Sequence, residues 1–447
     1  MNISEIKNLI SKNKFAEARE HLEKYTEENS SDTDALNLLS LIYFQLGDFA
    51  KAVRTLERVA EINSNSAAPL INLGIIYYQK DEHAKALEYL RRAVEIEKDN
   101  YLARYNYALA LAEIGETDEA IKNYSAAIEL KPDYYDAYYN LSMLYLMKGN
   151  YEKGWEYYEY RFKCNELKRK ELAGTRWHGE TAKEKTLYVY SDQGFGDAIQ
   201  FVRLLEEAKK RVKEVILETQ IELLGLMKSL PYVDRVVPVR PDFSPVAKYD
   251  LQIPLMSLPY ALKINDENIP DETPYLQADR EKKTKWKALL ESGKKIKIGI
   301  AWRGNPVYRK NHIRSTDVKY FKEIFKLPRT IFFSLQKDIY EREREFLLAN
   351  EVVDMSEHLR DFSETAAIID NLDLIITTDT VIPHLAGAFG KPVYTLLAKV
   401  PDWRWGISGE TTPWYPTMKL FRQNERGDWK SAFDKALAET KKFIDAR

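Results

Sequence analysis

The 447-residue sequence contains a single cysteine, Cys164, and only six histidines. One thiol excludes a disulfide framework or a cysteine-built zinc knuckle within the chain, and it fits a reducing compartment. Charge of one sign is also lacking, since 67 Lys and Arg face 69 Asp and Glu for a formal net charge of -2. That balance disfavours nucleic acid or an acidic membrane surface as a bulk partner. No apolar run approaches the ~18 residues of a membrane span, and the opening Met-Asn-Ile-Ser-Glu-Ile-Lys is polar and charged. A cytoplasmic protein is expected. No acidic pair with metal-ligand spacing stands out, so no metal and no cofactor are expected.

Repetition is what the chain does have. Ala18, Ala52, Ala86, Ala120 and Gly154 recur every 34 residues, which is the tetratricopeptide period. Leu39, Leu73 and Leu141 share a register with Tyr107; Ser40, Gly74, Ala108 and Ser142 come one residue later, and Tyr43, Tyr77 and Tyr145 three after that. Small and aromatic residues at these positions are where paired antiparallel helices cross. The pattern predicts a helical superhelix over residues 1–164, a leading partial pair followed by full ones. A junction is expected over 165–183, with Trp155 of the last repeat and Trp177 packing the repeats against the next domain.

From Lys185 the period changes to alternating α/β with a parallel sheet. Thr186 to Tyr190 reads as a strand, Ser191 to Asp197 as a glycine-bearing turn, and Ala198 to Lys210 as an amphipathic helix. Strands at Val215–Glu218, Arg235–Pro238 and Leu251–Pro254 come next, with a helix from Ile221 to Leu230. Gly194-x-Gly196 invites a dinucleotide reading, but the third glycine position holds Ile199, and Asp197 would set a carboxylate where a pyrophosphate should approach. A helix over Glu281–Glu291 connects to a second α/β unit opened by Ile296–Trp302, giving lobes over 184–280 and 281–447. A closing helix from Trp429 to Phe443 is expected to cross back to the first.

Near the end, an apolar run from Leu372 reaches Thr377-Thr378-Asp379-Thr380, a short helix carries Pro383, His384 and Gly387, and a second apolar run begins after Gly390-Lys391-Pro392. This is strand, turn, helix, strand, and the first turn after a parallel strand is an anion site. A plain Thr/Asp helix cap with a satisfied helix histidine is the alternative. The stretch Asp379-Thr380-x-x-x-His384-Leu385-Ala386-Gly387-Ala388-x-Gly390-Lys391-Pro392 resembles the donor-binding motif of the heptosyltransferase-like glycosyltransferases of family 9. The flanking Pro401-Asp402-Trp403-Arg404-Trp405 and Pro413-Trp414-Tyr415-Pro416 are similar to a bacterial subgroup with N-terminal tetratricopeptide repeats.

The resemblance implies two facing α/β lobes of the GT-B type, with the acceptor on the first and a nucleotide-diphosphate sugar as donor on the second. It implies that Asp197, beside Gly194 and Gly196 on the acceptor side, is the general base, although helix capping also accounts for a carboxylate there. Relatives contact the donor's phosphates through the segment holding Arg303, Asn305 and Arg314. Lys337 suits the leaving diphosphate, Gln336 the ribose or base, and Asp379, Thr380 and His384 crown the donor turn. On the repeats, Asn72, Asn106 and Asn140 share one register, where amides can bind an extended peptide backbone as in the similar superhelix of O-GlcNAc transferase; Leu38 interrupts the series, and asparagine is common at this repeat position. The implied activity is an inverting, metal-independent glycosyl transfer to a protein hydroxyl, with a saccharide or lipid-linked acceptor, or an inactive scaffold, as the alternatives.

Overall fold

The computed structural model describes residues 3–164, 172–308 and 310–447. The chain divides into two compact units, Met1–Leu144 and Tyr145–Arg447. In the first, helices Ile3–Ser11, Phe15–Glu28, Thr33–Gln45, Phe49–Ile62, Ala68–Gln79, His83–Ile96, Tyr101–Ile114 and Thr117–Leu130 succeed one another, and Tyr135–Met147 runs across the boundary. Ala18, Ala52, Ala86 and Ala120 are fully buried where helices cross. Gly74 permits a close approach, since a Cβ there would sit 2.3 Å from Leu90 Cγ. Asp32, Asp48 and Asn100 accept backbone N–H bonds at helix starts, offsetting donors that a helix start leaves unpaired.

The second unit holds two parallel sheets. The first contains β1 (Thr175–Arg176), β2 (Ala182–Tyr190), β3 (Val212–Thr219), β4 (Arg235–Pro238) and β5 (Leu251–Pro254), ordered β1-β5-β2-β3-β4. The second contains β6 (Ile296–Ala301), β7 (Thr330–Ser334), β8 (Val353–Asp354), β9 (Leu374–Thr378), β10 (Val393–Leu397) and β11 (Met418–Arg422), ordered β11-β10-β9-β6-β7-β8. Every residue of β9 and β10 is buried, as helices on both faces of a parallel sheet require. The expected α and α/β architecture is present.

Several boundaries differ from expectation for identifiable reasons. The last helix of the repeat pattern, Tyr151–Tyr158, belongs to the second unit, because Trp155 packs edge-on against Phe201, Trp403 and Trp414. Part of the expected junction, residues 165–171, lies outside the described residues. The rest is structured: β1 pairs with β5, and buried Trp177 donates its indole N–H to the Glu180 carbonyl. The helix expected from Ala198 starts at Phe195 and tightens to a 3-10 turn at Val202–Leu204 before resuming over Leu205–Lys209. The helix expected over 221–230 is only a 3-10 turn and Leu224–Met227. Helix Trp429–Asp445 does not make the expected crossing: its buried stripe of Trp429, Ala432, Phe433, Ala436 and Ile444 joins Phe321 and Phe421 in the core of its own lobe.

Candidate active site

Strand β9 delivers Asp379 and Thr380 to the carboxyl edge of its sheet, where helix Val381–Ala388 begins. Thr380 Oγ1 accepts the Ile382 N–H at 3.2 Å and so caps the helix. Pro383 occupies the first turn, where a missing N–H breaks no helical bond. Gly387 lets Tyr415 close in, since a Cβ there would lie 2.5 Å from its ring. Tyr415 in turn holds His384, with 2.9 Å between the hydroxyl and Nδ1, while the imidazole stacks on Trp405 at 5.2 Å between centroids. Burial drives the His384 pKa well below its ordinary value, and Arg404, Arg203 and Arg314 push it the same way. The ring is therefore neutral near pH 7.

Helix Phe195–Phe201 succeeds β2 at the carboxyl edge of the other sheet. Its Gly196 touches His384: a Cβ would stand 2.9 Å from Cδ2. The two lobes thus meet helix start to helix start, and the glycine is required by that approach. Asp197 comes next. Its Oδ2 accepts the Gly194 N–H at 2.9 Å, so it does cap its helix, and its Oδ1 is ion-paired to Arg404 from the opposite lobe. Capping and a place in the site coexist.

Arg404 spreads its three edges over three partners. Nε donates to Gln200 Oε1 at 2.7 Å, Nη1 to Asp402 Oδ1 at 2.8 Å, and Nη2 to Asp197, while the guanidinium lies 4.4 Å from the centroid of the Trp403 ring. Burial raises the Asp197 pKa above its ordinary value, opposed by Arg404 and aided by Asp402. Asp379 is pushed up to about 6, first by burial and then by Asp402, against Arg314 and Arg404. For both carboxylates burial outweighs the nearby arginines, and the charged form is disfavoured. Arg203, also buried, ties the lobes beneath this cluster: Nη1 donates to the Trp414 carbonyl at 2.7 Å and Nη2 to the Tyr275 hydroxyl at 2.8 Å.

The remaining expected donor residues divide into two groups. Arg314 belongs to the cluster, stacked 4.4 Å from the centroid of Tyr308, its charge acting on Asp379. Lys337 is exposed at the end of β7. Arg303, however, is committed elsewhere: Nη1 and Nη2 pair with Glu343 at 2.6 and 3.1 Å, and Nη2 also donates to the Asp338 carbonyl. Gln336 is buried and its Oε1 accepts the Trp302 and Arg303 backbone N–H groups, shaping the turn after β6. Asn305 Oδ1 accepts the Val307 N–H in a local turn.

In the first unit, Asn106 and Asn140 donate to the carbonyls of Leu102 and Asp136 in their own helices, and Asn140 also to the Tyr105 hydroxyl. Asn72 is exposed and lines, with Asn37, Leu38, Leu41, Phe44 and Ile75, a groove of about 560 Å³. Leu38, which interrupts the asparagine series, is thus part of the same surface. Sequence reasoning missed Arg404, Arg203 and Gln200 as site residues. The one available signal was an arginine between two tryptophans in Trp403-Arg404-Trp405, a composition that favours a stacked, partly desolvated cation.

Comparison with known proteins finds repeat matches and a glycosyltransferase match in separate stretches of the chain. Residues 32–99 match the tetratricopeptide repeat, residues 108–149 the TPR repeat, and residues 329–435 glycosyltransferase family 9 (heptosyltransferase). Protein FlbA of Caulobacter vibrioides is 23% identical over 329 residues, 68% of this chain and 54% of the relative. The chain thus spans about half the length of that curated relative. Among solved structures, MamA is 24% identical over 36% of this chain and 94% of its own, with a TM-score of 0.33. YrrB, described as a TPR protein with an unusual peptide-binding site, is 27% identical over 36% of this chain and 83% of its own, with a TM-score of 0.31.

Proposed function

We infer that this chain, a glycosyltransferase joining tetratricopeptide repeats to a family 9 domain, moves a sugar from a nucleotide-diphosphate donor to a hydroxyl of a protein acceptor, with inversion and without a metal. One observation carries the reading. Asp197 from the first lobe and the Asp379 to His384 turn from the second are brought to one place, with Gly196 against His384.

The acceptor oxygen attacks the anomeric carbon from the face opposite the diphosphate. As that bond forms, Asp197 takes the hydroxyl proton, the bond from the anomeric carbon to the diphosphate oxygen breaks, and the electron pair leaves on the nucleoside diphosphate. The proton then passes from Asp197 to solvent. Burial favours this role by raising the Asp197 pKa, which makes the carboxylate a stronger base. The helix start at Thr380 with Arg314 and Arg404 supplies positive potential for the departing charge. The repeats supply the protein acceptor through the groove face that Asn72 shares with Leu38.

Single-turnover transfer tests this reading. Asp197→Asn keeps the shape and the Gly194 bond but removes the base, so the chemical step is expected to fall roughly 100-fold or more while nucleoside diphosphate still binds without added metal. Turnover equal to wild type would remove Asp197 from the mechanism. If a folded sample binds none of ADP, GDP or UDP, the donor site is misassigned.

A further inference from the structure

The base of this site is not free. Both oxygens of Asp197 are engaged, Oδ2 by the Gly194 N–H at 2.9 Å and Oδ1 by the Arg404 guanidinium. Arg404 is itself 9% exposed and comes from the lobe opposite Asp197, the one that carries the donor turn. A cation so placed has two competing destinations. One is the carboxylate it now holds. The other is an anion delivered to the turn at Asp379 and Thr380, near enough that Arg404 and Arg314 both act on Asp379. A diphosphate carries more charge than one carboxylate and accepts a guanidinium through two oxygens at once.

We propose that Arg404 is a donor-sensing clasp: it holds Asp197 in the empty enzyme and turns to the diphosphate of the bound donor, releasing Oδ1 to receive the acceptor's proton. This rests on the reading of the site as a nucleotide-sugar glycosyltransferase. Its partners suit such a change of allegiance. The stacking on Trp403 holds the guanidinium plane, and an in-plane turn that gives up the Gln200 bond swings Nη2 from one anion to the other. Asp402, which remains on Nη1, keeps the cation in the cleft throughout. The groups acting on Asp197 are Arg404 and Asp402 from the second lobe, and Asp192 and the Gly194 N–H from its own. Arg404 is the cation among them, so the proton affinity of Asp197 rises when the clasp opens. The base is strongest when the donor is present, and an acceptor bound alone meets a carboxylate already occupied.

A double-mutant cycle read by calorimetry against the nucleoside diphosphate that wild type binds tests the clasp. If donor binding must break the Arg404 pair with Asp197, then Asp197→Asn, which holds the guanidinium poorly, binds the diphosphate more tightly than wild type, by roughly fivefold or more. Arg404→Gln weakens binding roughly tenfold or more, and in that background Asp197→Asn gives no gain. A gain that persists without Arg404 is simple charge repulsion and overturns the clasp; so does no gain in the wild-type background. Should Arg404→Gln fail to fold, Arg404→Lys serves: a lysine lacks the planar fork, so the gain from Asp197→Asn is at most half that in wild type, and an undiminished gain refutes the proposal. Absence of diphosphate binding by folded wild type refutes instead the donor-site reading beneath it.

Discussion

The two compact units of this chain use their buried residues differently. In the repeats, burial falls on Ala18, Ala52, Ala86 and Ala120 and on Leu22, Leu39, Leu56, Leu73 and Leu90, and buried hydroxyls are satisfied nearby, as Thr26 donates to the Leu22 carbonyl and Ser40 to the Asn37 carbonyl. The α/β unit instead buries Arg203, Arg404, His384 and Asp379, and it satisfies them across large sequence distances: Arg404 reaches Asp197 over 207 residues and Arg203 reaches Trp414 over 211. A repeat tolerates local change because each helix pair answers mainly to its neighbours. A two-lobed site does not, because each charge depends on partners from the other lobe.

Two glycines sharpen this contrast most. Gly387→Ala would drive a Cβ to 2.5 Å from the Tyr415 ring, which His384 and Arg203 hold in place, whereas Gly74→Ala would meet the Leu90 side chain at 2.3 Å. Each is expected to destabilise its own unit by about 1–3 kcal/mol, but only Gly387→Ala should also weaken nucleoside diphosphate binding. Thermal unfolding with calorimetry on both variants checks this, and loss of nucleotide affinity in Gly74→Ala would break the comparison.

A smaller effect is expected from pH. Asp379 has a pKa of about 6 in the folded protein against an ordinary 3.8, so between these values the native state binds more protons than the unfolded one. Its contribution to stability is therefore lost as pH rises through about 4 to 6. The melting temperature of Asp379→Asn relative to wild type should climb across that window, by an equivalent of at most about 3 kcal/mol. A difference that is flat or falls with pH would contradict the burial of an ionised carboxylate.

The least effect on the α/β unit is expected from its counterpart in the repeats. Changing Asn72, Asn106 and Asn140 together to alanine should raise the KM for a full-length protein acceptor roughly tenfold or more, at roughly 0.5–1.5 kcal/mol for each of the lost hydrogen bonds, with diphosphate affinity unchanged. An unchanged KM would remove the asparagine series from acceptor binding.

The same contrast decides what was legible in the amino-acid sequence. Periodicity is a local signal, and the 34-residue spacing of Ala18 to Ala120 translated directly into helix crossings. The strand, turn and helix around Asp379 were equally local: Thr380 caps, Pro383 sits in the first turn, and Gly387 admits a ring. Asp197 was legible as a carboxylate at a helix start, but not its pairing with Arg404. Arg303 shows the opposite failure, since an arginine in a turn looks available until Glu343 is found beside it. The break at Tyr145 went unseen because the helix pattern continues to Tyr158 while the packing of Trp155 changes hands. Long-range pairing leaves no period.

Arg161 gives that boundary a practical meaning. It is fully buried, donates from Nε and Nη2 to Asp192 Oδ2 at 3.0 and 2.9 Å, and reaches Ser257 Oγ at 2.7 Å. Asp192 in turn accepts the Met256 N–H and stands on the same turn as Asp197. Removing one partner of such a buried pair typically costs about 3–5 kcal/mol, because the other is stranded without water. The sequence period places the seam of the two modules at residue 164, and a shuffling of repeats between relatives at that seam would replace the arginine on which the turn carrying Asp197 leans. Recombination, in nature or by design, has its neutral crossover upstream of Tyr145, so that the last helix of the pattern travels with the α/β unit.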